Sequence, residues 1–213
     1  MRRVSNPSWR DASFIAIDVE TTGLDRRRDE VISFAGIPLE SARIIPSESV
    51  SGLVRPRAAS TSASIEIHRL RAEDLVGAPR APEALAPLAA RMRGRIPVVH
   101  ASWVERTFLK KAGCPLPRRI VDTAVLWRLL SIERGARDPG PCSLSTIAAA
   151  LGLPAHRPHE AEGDALTAAQ VFLAMATHLE ARGHGTVRAL TRARWTLRAW
   201  QLWHGPGGLR PSN

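Results

Sequence analysis

The sequence predicts an α/β fold in which a mixed β-sheet is flanked by helices. Strand-length apolar runs come first, at Phe14 to Val19, Val31 to Pro38 and around Val50 to Val54. Helical apolar spacing then alternates with shorter apolar runs, and no repeat of solenoid length interrupts the order. The opening run is unusual for a buried strand, because Asp18 and Glu20 sit inside it with one residue between them.

The first three strands form a meander, with turn chemistry at Thr22-Gly23 and Pro46-Ser47. Pro82 is placed to be a first helical residue, and Ala84, Leu85, Leu88, Ala89 and Met92 follow along one face until Gly94. Ile96 to His100 is a short strand that runs into a helix carrying Val104, Glu105, Phe108 and Leu109 and stopping at Gly113. Ile120 and Val121 make the next strand step, after which Asp122 caps a helix with Val125, Leu126, Leu129 and Leu130 as its buried stripe. Ser143 caps another, which carries Leu144, Ile147, Ala148 and Leu151 and ends at Gly152. Pro154 and Pro158 break the chain before the last helix of the domain, where Ala165, Ala168, Phe172, Met175 and Leu179 recur at three and four. One domain over 12–180 is expected, followed by an extension over 181–213 that is rich in Arg, Gly and Trp.

A chain of 213 residues can bury a sizeable core. Its 30 basic residues against 20 acidic ones give a net charge of +10, and Lys110 and Lys111 are the only lysines. Guanidinium groups pair with phosphates, so a polyanionic partner fits; a solvated basic surface or a coding bias towards arginine fits as well. No apolar stretch is long enough to span a bilayer, and no secretory core follows Met1-Arg2-Arg3, so a cytoplasmic location without a membrane partner is expected. Cys114 and Cys142 lie far apart and suggest neither a zinc site nor a disulfide framework.

Residues two apart on a strand point to the same face, so Asp18 and Glu20 converge on one point. Like charges disfavour joint ionisation there unless a cation sits between them, and a bound divalent metal is the simplest resolution. The bland alternative is an exposed strand end. Glu105 is either a further ligand or a solvated helix residue beside Arg106, and His159 either works as a base or caps the helix that holds Asp164. His156 and His159 are spaced like a zinc pair but lack a third ligand nearby. His68 and His100 are expected to be structural, and Trp103 to belong to the core.

Asp18-Val19-Glu20-Thr21-Thr22-Gly23-Leu24, then Val98 to Leu109, then His159 to Ala165 resemble the three motifs of the DEDDh 3′-to-5′ exonucleases, the family of the proofreading epsilon subunit of DNA polymerase III. Ile65-Glu66-Ile67-His68, Glu73-Asp74-Leu75, Val121-Asp122-Thr123 and the Ser143-Leu144 helix start agree with it. The resemblance implies a ribonuclease-H-like fold and a two-metal active site, with Asp18, Glu20 and Asp164 holding two Mg²⁺ or Mn²⁺ ions and Glu105 as the second-motif carboxylate acting on the looser metal through water. It also implies His159 as general base, since an imidazole titrates near neutrality, and Thr21, Thr22 and Leu24 as the residues that position the terminal nucleotide by backbone contact and apolar wedging. Two departures bear on rate and metal preference: Ala101 stands where the family usually has Asn, and Glu105 where it has Asp.

The expected function is metal-dependent hydrolysis of single-stranded DNA 3′ ends to nucleoside monophosphates, in DNA repair or proofreading. The alternatives are a 3′-to-5′ exoribonuclease trimming short RNA or tRNA ends, and a noncatalytic nucleic-acid or polymerase accessory module. In the tail, Arg192, Arg194 and Arg198 interleave with Trp195, Trp200 and Trp203, and Trp195, Ala199 and Leu202 share a helical face. That segment stacks on single strands, recruits a polymerase or other protein, or docks on the parent domain; docking is the expectation, because exposed tryptophans are costly.

Overall fold

A computed structural model describes residues 6–137 and 139–204 of the chain, the side chains of 199–204 excepted. The expected strands form, each slightly shifted at its ends. Phe14–Thr21 (β1) and Val31–Glu40 (β2) pair antiparallel from Phe14↔Leu39 to Glu20↔Ser33. The register then slips so that Thr21 faces Val31, and this bulge twists the pair where Glu20 sits. Arg43–Ile44 (β3) and Val50–Leu53 (β4) pair with opposite ends of β2, while Ile96–Val99 (β5) and Val121–Asp122 (β6) extend the sheet parallel to β1. The strand order is β3-β2-β1-β5-β6, with β4 also on β2.

Alternation along β1 divides the interior into two cores. Phe14 and Ala16 face one layer, with Leu126, Leu129 and Leu130 of Thr123–Glu133 (α5), Ile147 of Leu144–Ala150 (α6) and Phe172 and Met175 of Ala161–Glu180 (α7). Ile15, Ile17 and Val19 face the other, with Leu88 of Ala86–Met92 (α3) and Phe108 and Leu109 of Trp103–Lys111 (α4). Asp18 and Glu20 continue the face of Phe14 and Ala16, so strand parity aims both carboxylates towards α7. The caps form as the sequence predicts: Asp122 Oδ1 accepts from the amides of Ala124 and Val125, and Ser143 Oγ from Thr146.

Several expectations need correction. Pro82 does not open a helix; residues 81–85 form turns and α3 begins at Ala86, because Pro87 has no N–H to bond back to Glu83. Ser62–His68 (α1) and Ala72–Leu75 (α2) fill a stretch for which no helix was expected. Trp103 is 40% exposed with the Arg26 guanidinium over its ring, so it is not a core residue. In the tail, Val187–Thr191 (α8) and Ala193–His204 (α9) pack against the domain through Val187, Leu190, Ala193 and Leu197. Trp195 is 67% exposed instead, because the Ala193/Leu197 pair sets the inward face and a residue two positions on points away from it. The side chains of Ala199, Trp200, Leu202 and Trp203 lie outside the described residues.

The first turn of α7 is anchored on both sides. Ala161 and Ala165 pack on Ala35 and Ile37 of β2. Thr167 Oγ1 donates to the Gly163 carbonyl at 2.9 Å and accepts the His156 amide at 2.9 Å. The loop before α7 thus lies directly on the helix, and a Cβ at Gly163 would overlap the carbonyl oxygens of His156 and Arg157. We expect Gly163→Ala to destabilise the protein by about 1–3 kcal/mol through overpacking against backbone that has nowhere to move. Gly77→Ala, where an added Cβ meets nothing within 4 Å, serves as the control. Equal chemical-denaturation midpoints for the two variants would contradict this packing.

Candidate active site

Three elements bring their carboxylates to one end of the sheet. Asp18 and Glu20 project from β1, and Asp164 from the first turn of α7. One carboxylate oxygen from each lies within 4.8 Å of the others. Glu105 enters from the first turn of α4, is 3% exposed, and has an Oε2 atom with no hydrogen-bond partner.

The electrostatics of this cluster are one-sided. Burial first, and then the neighbouring charges of Glu105, Glu20 and Asp164, hold Asp18 well above the usual carboxylate range. Burial and Asp164 push Glu20 up to about 7. Burial, helped by Asp122, pushes Glu105 up to about 8. Asp164 is also raised by burial, against the opposing pull of the His159 amide and the His159 and His100 rings. No Arg or Lys forms an ion pair with any of the four among the described residues. A chain with a net charge of +10 thus leaves its most crowded carboxylates without a counter-charge. An all-oxygen, multiply anionic donor set with a buried orphan oxygen behind it suits hard divalent cations.

His159 is exposed at the rim, in the left-handed region with φ of 66°. Its backbone N–H donates to Asp164 Oδ2 at 2.8 Å, which ties the histidine to the helix that carries the carboxylate. With Glu20 it lines a cavity of about 300 Å³. His156 turns away and meets Gln170 Oε1 at 3.0 Å. His100 Nδ1 meets Thr123 Oγ1 at 2.9 Å, joining the end of β5 to the start of α5. The second motif is steadied by Asp122, whose Oδ2 accepts the Ser102 amide at 2.9 Å.

The residues after the first motif divide by role. Thr21 Oγ1 donates to the Gly23 carbonyl, and Thr22 Oγ1 donates to Asp29 Oδ1 while accepting the Glu30 amide. Both hydroxyls are therefore committed to the turn. Leu24, 62% exposed, and Ile67, 51% exposed, line a second cavity of about 360 Å³ that also reaches Glu20 and Thr21. His68 borders both cavities. Its Nδ1 accepts the Leu70 amide at 3.0 Å, which leaves the proton on Nε2, and that buried atom has no partner.

A sequence model described as "Exonuclease" (RNase_T) matches residues 15–172. The PolC-type DNA polymerase III of Thermotoga petrophila is 30% identical over 171 residues, 78% of this chain and 12% of that protein. A DNA polymerase III subunit epsilon-like protein of Rhodobacter capsulatus is 27% identical over 183 residues, 84% of this chain and 26% of that protein. The chain thus spans about an eighth to a quarter of the length of these relatives. Among solved structures, exonuclease X in complex with 5′ overhanging duplex DNA superposes with a TM-score of 0.65 at 20% identity, covering 84% of this chain and 98% of the other. The nuclease domain of 3′hExo, a DEDDh family member bound to rAMP, gives 0.65 at 16% identity over 80% and 94% of the two chains. The solved structures agree with the ribonuclease-H-like sheet, and the chain belongs to the exonuclease (RNase_T) family.

Proposed function

We propose that this 3′-to-5′ exonuclease shortens single-stranded DNA, releasing nucleoside monophosphates in repair or proofreading. The observation that carries the reading is the convergence of Asp18, Glu20 and Asp164 with Glu105 buried behind them and, among the described residues, no side-chain cation paired with them. The relatives named as polymerase III proteins favour DNA and a polymerase or other protein partner. Residues 12–180 form the exonuclease domain on this reading, and 181–213 its extension. No helix among the described residues is long and apolar enough to cross a membrane.

When bound, the divalent cations that this family uses neutralise the scissile phosphate and activate the attacking water. Asp18, Glu20 and Asp164 would hold them, and Glu105 adds negative charge from behind Asp18. His159 takes the proton of the attacking water at a ring nitrogen, its backbone held by Asp164. Leu24 and Ile67 offer the terminal nucleotide an apolar surface beside Thr21. The Ala101 methyl cannot make the hydrogen bonds of the usual Asn, so grip on the strand falls to these residues.

Digestion of a 5′-labelled DNA strand and a matched RNA is expected to give a ladder shortening from the 3′ end with Mg²⁺ or Mn²⁺ and none in chelator, faster on DNA. A faster RNA ladder would instead favour the exoribonuclease. Asp18→Asn is expected to lower the rate about a thousandfold or more without loss of fold; binding without cleavage by the unaltered chain would indicate the noncatalytic module. His159→Ala is expected to lose about 10²–10⁴-fold in the same digestion and to keep its metal affinity. A matching loss of metal affinity would give His159 a ligand's role.

The raised carboxyls also dictate how metal-free stability depends on pH. A folded-state pKa above the unfolded 4.5 favours the protonated form, so the stabilising contribution is complete below 4.5 and disappears as pH rises through about 7 for Glu20 and about 8 for Glu105. Thermal melting in chelator should fall across that window, Glu105→Gln should remove its upper part, and divalent metal should restore the melting temperature at the alkaline end. A melting temperature that stays flat in chelator would mean that the cluster is not strained by its own charge.

A further inference from the structure

A basic groove lies outside the catalytic cleft, and none of the chemistry above uses it. Arg118 and Arg119, from the loop before β6, line it together with Arg188, Arg192 and Trp195 of the α8–α9 segment, around a cavity of about 580 Å³. All four arginines are exposed. Among the described residues none of their guanidinium groups has a carboxylate or hydrogen-bond acceptor. Outside the groove, Arg95 pairs with Glu40 and Glu48, and Arg10 with Glu180. The orientation of this wall is fixed from within, because Val187, Leu190, Ala193 and Leu197 take the opposite faces of α8 and α9 into the core. Arg188 of α8, Arg192 at the turn between the helices and Trp195 of α9 are left facing the groove.

We propose that this groove is a second nucleic-acid site, which holds a single-stranded segment upstream of the 3′ end by its phosphates and stacks one unpaired base on Trp195. It rests on the exonuclease reading for the identity of the polymer. A planar guanidinium matches a phosphate in a two-pronged contact, and an exposed indole gives any base a stacking surface. A carboxylate-rich peptide would also neutralise the arginines, but a polymer that alternates anionic groups with flat apolar faces uses the ring as well. Val121 pairs with Val98, which itself lies opposite Ala16, so Arg119 is level with Phe14 at the far end of β1 from the catalytic carboxylates. At about 3.3 Å per residue and about 4.8 Å per strand, the groove is about 16 Å from Asp18. A strand must therefore extend several nucleotides beyond its terminus to reach it, at about 3.4 Å for each stacked nucleotide.

Fluorescence anisotropy of a labelled single strand in chelator reads binding without cleavage. Arg118→Ala combined with Arg192→Ala is expected to weaken binding of the full chain about tenfold and to lower the slope of log affinity against log salt by about 1.4, two phosphate contacts' worth. Trp195→Ala is expected to weaken it about tenfold with the salt slope unchanged. With metal present, both variants should raise KM on a long strand and leave cleavage of a dinucleotide unaltered. If the unaltered chain fails to cleave the dinucleotide, the exonuclease reading fails, while the binding measured in chelator still decides the groove. Affinities and salt slopes that match the unaltered chain in both variants would overturn the proposal and leave the arginines to an acidic protein segment.

Discussion

Mutual repulsion among half-buried carboxylates, with the buried Glu105 beside them, is the constraint around which this molecule is arranged. Asp18 and Glu20 share a strand face, Asp164 meets them from α7, and Glu105 closes the rear. Each would be easier to bury alone, paired with one of the chain's many arginines, or replaced by an apolar residue. Their juxtaposition is stable only when they are protonated or when a cation from outside the chain balances them. The raised pKa values of all four carboxyls express that single conflict, and metal binding would resolve it.

The surrounding fold supplies the rigidity that holds the conflict in place. β1 is buried on both faces, its odd residues against α3 and α4 and its even ones against α5, α6 and α7. It cannot slip by one residue without turning both carboxylates to the wrong layer. The bulge after Glu20 bends the strand at the cleft. α7, held by Thr167, Gly163 and the alanines on β2, fixes Asp164, and through Asp164 the backbone of His159. Asp122 caps α5 with one oxygen and holds the second motif through Ser102 with the other. Catalytic geometry and helix capping thus share residues, so these polar groups contribute to stability as well as to chemistry.

The parts of this arrangement that were legible in the sequence were those with a fixed period or a fixed partner. Asp18 and Glu20 were readable because strand parity leaves them no other direction, and Asp122 and Ser143 because a capping side chain acts on amides two or three residues ahead. β3 was missed because its hairpin turns at Ser41-Ala42, both at positive φ, without the Asn-Gly chemistry that marks such turns. Pro82 gave a false helix start because a proline's own preference says nothing about a second proline five residues on. The inward face of α9 was misjudged because tryptophan was assumed to seek burial, whereas the small Ala193 allows the close approach to the domain.

Counting protons during metal binding bears most directly on the claim that the cluster is kept for cations. Mn²⁺ or Mg²⁺ titrated calorimetrically into the metal-free chain near neutral pH, in two buffers that differ in ionisation enthalpy, gives the number released. With Glu20 raised to about 7 and Glu105 to about 8, binding should release about one proton or more per chain, a number that falls as pH rises past those values. Binding with no proton release across that range, or no binding at all, would mean that these carboxylates are not the cation site.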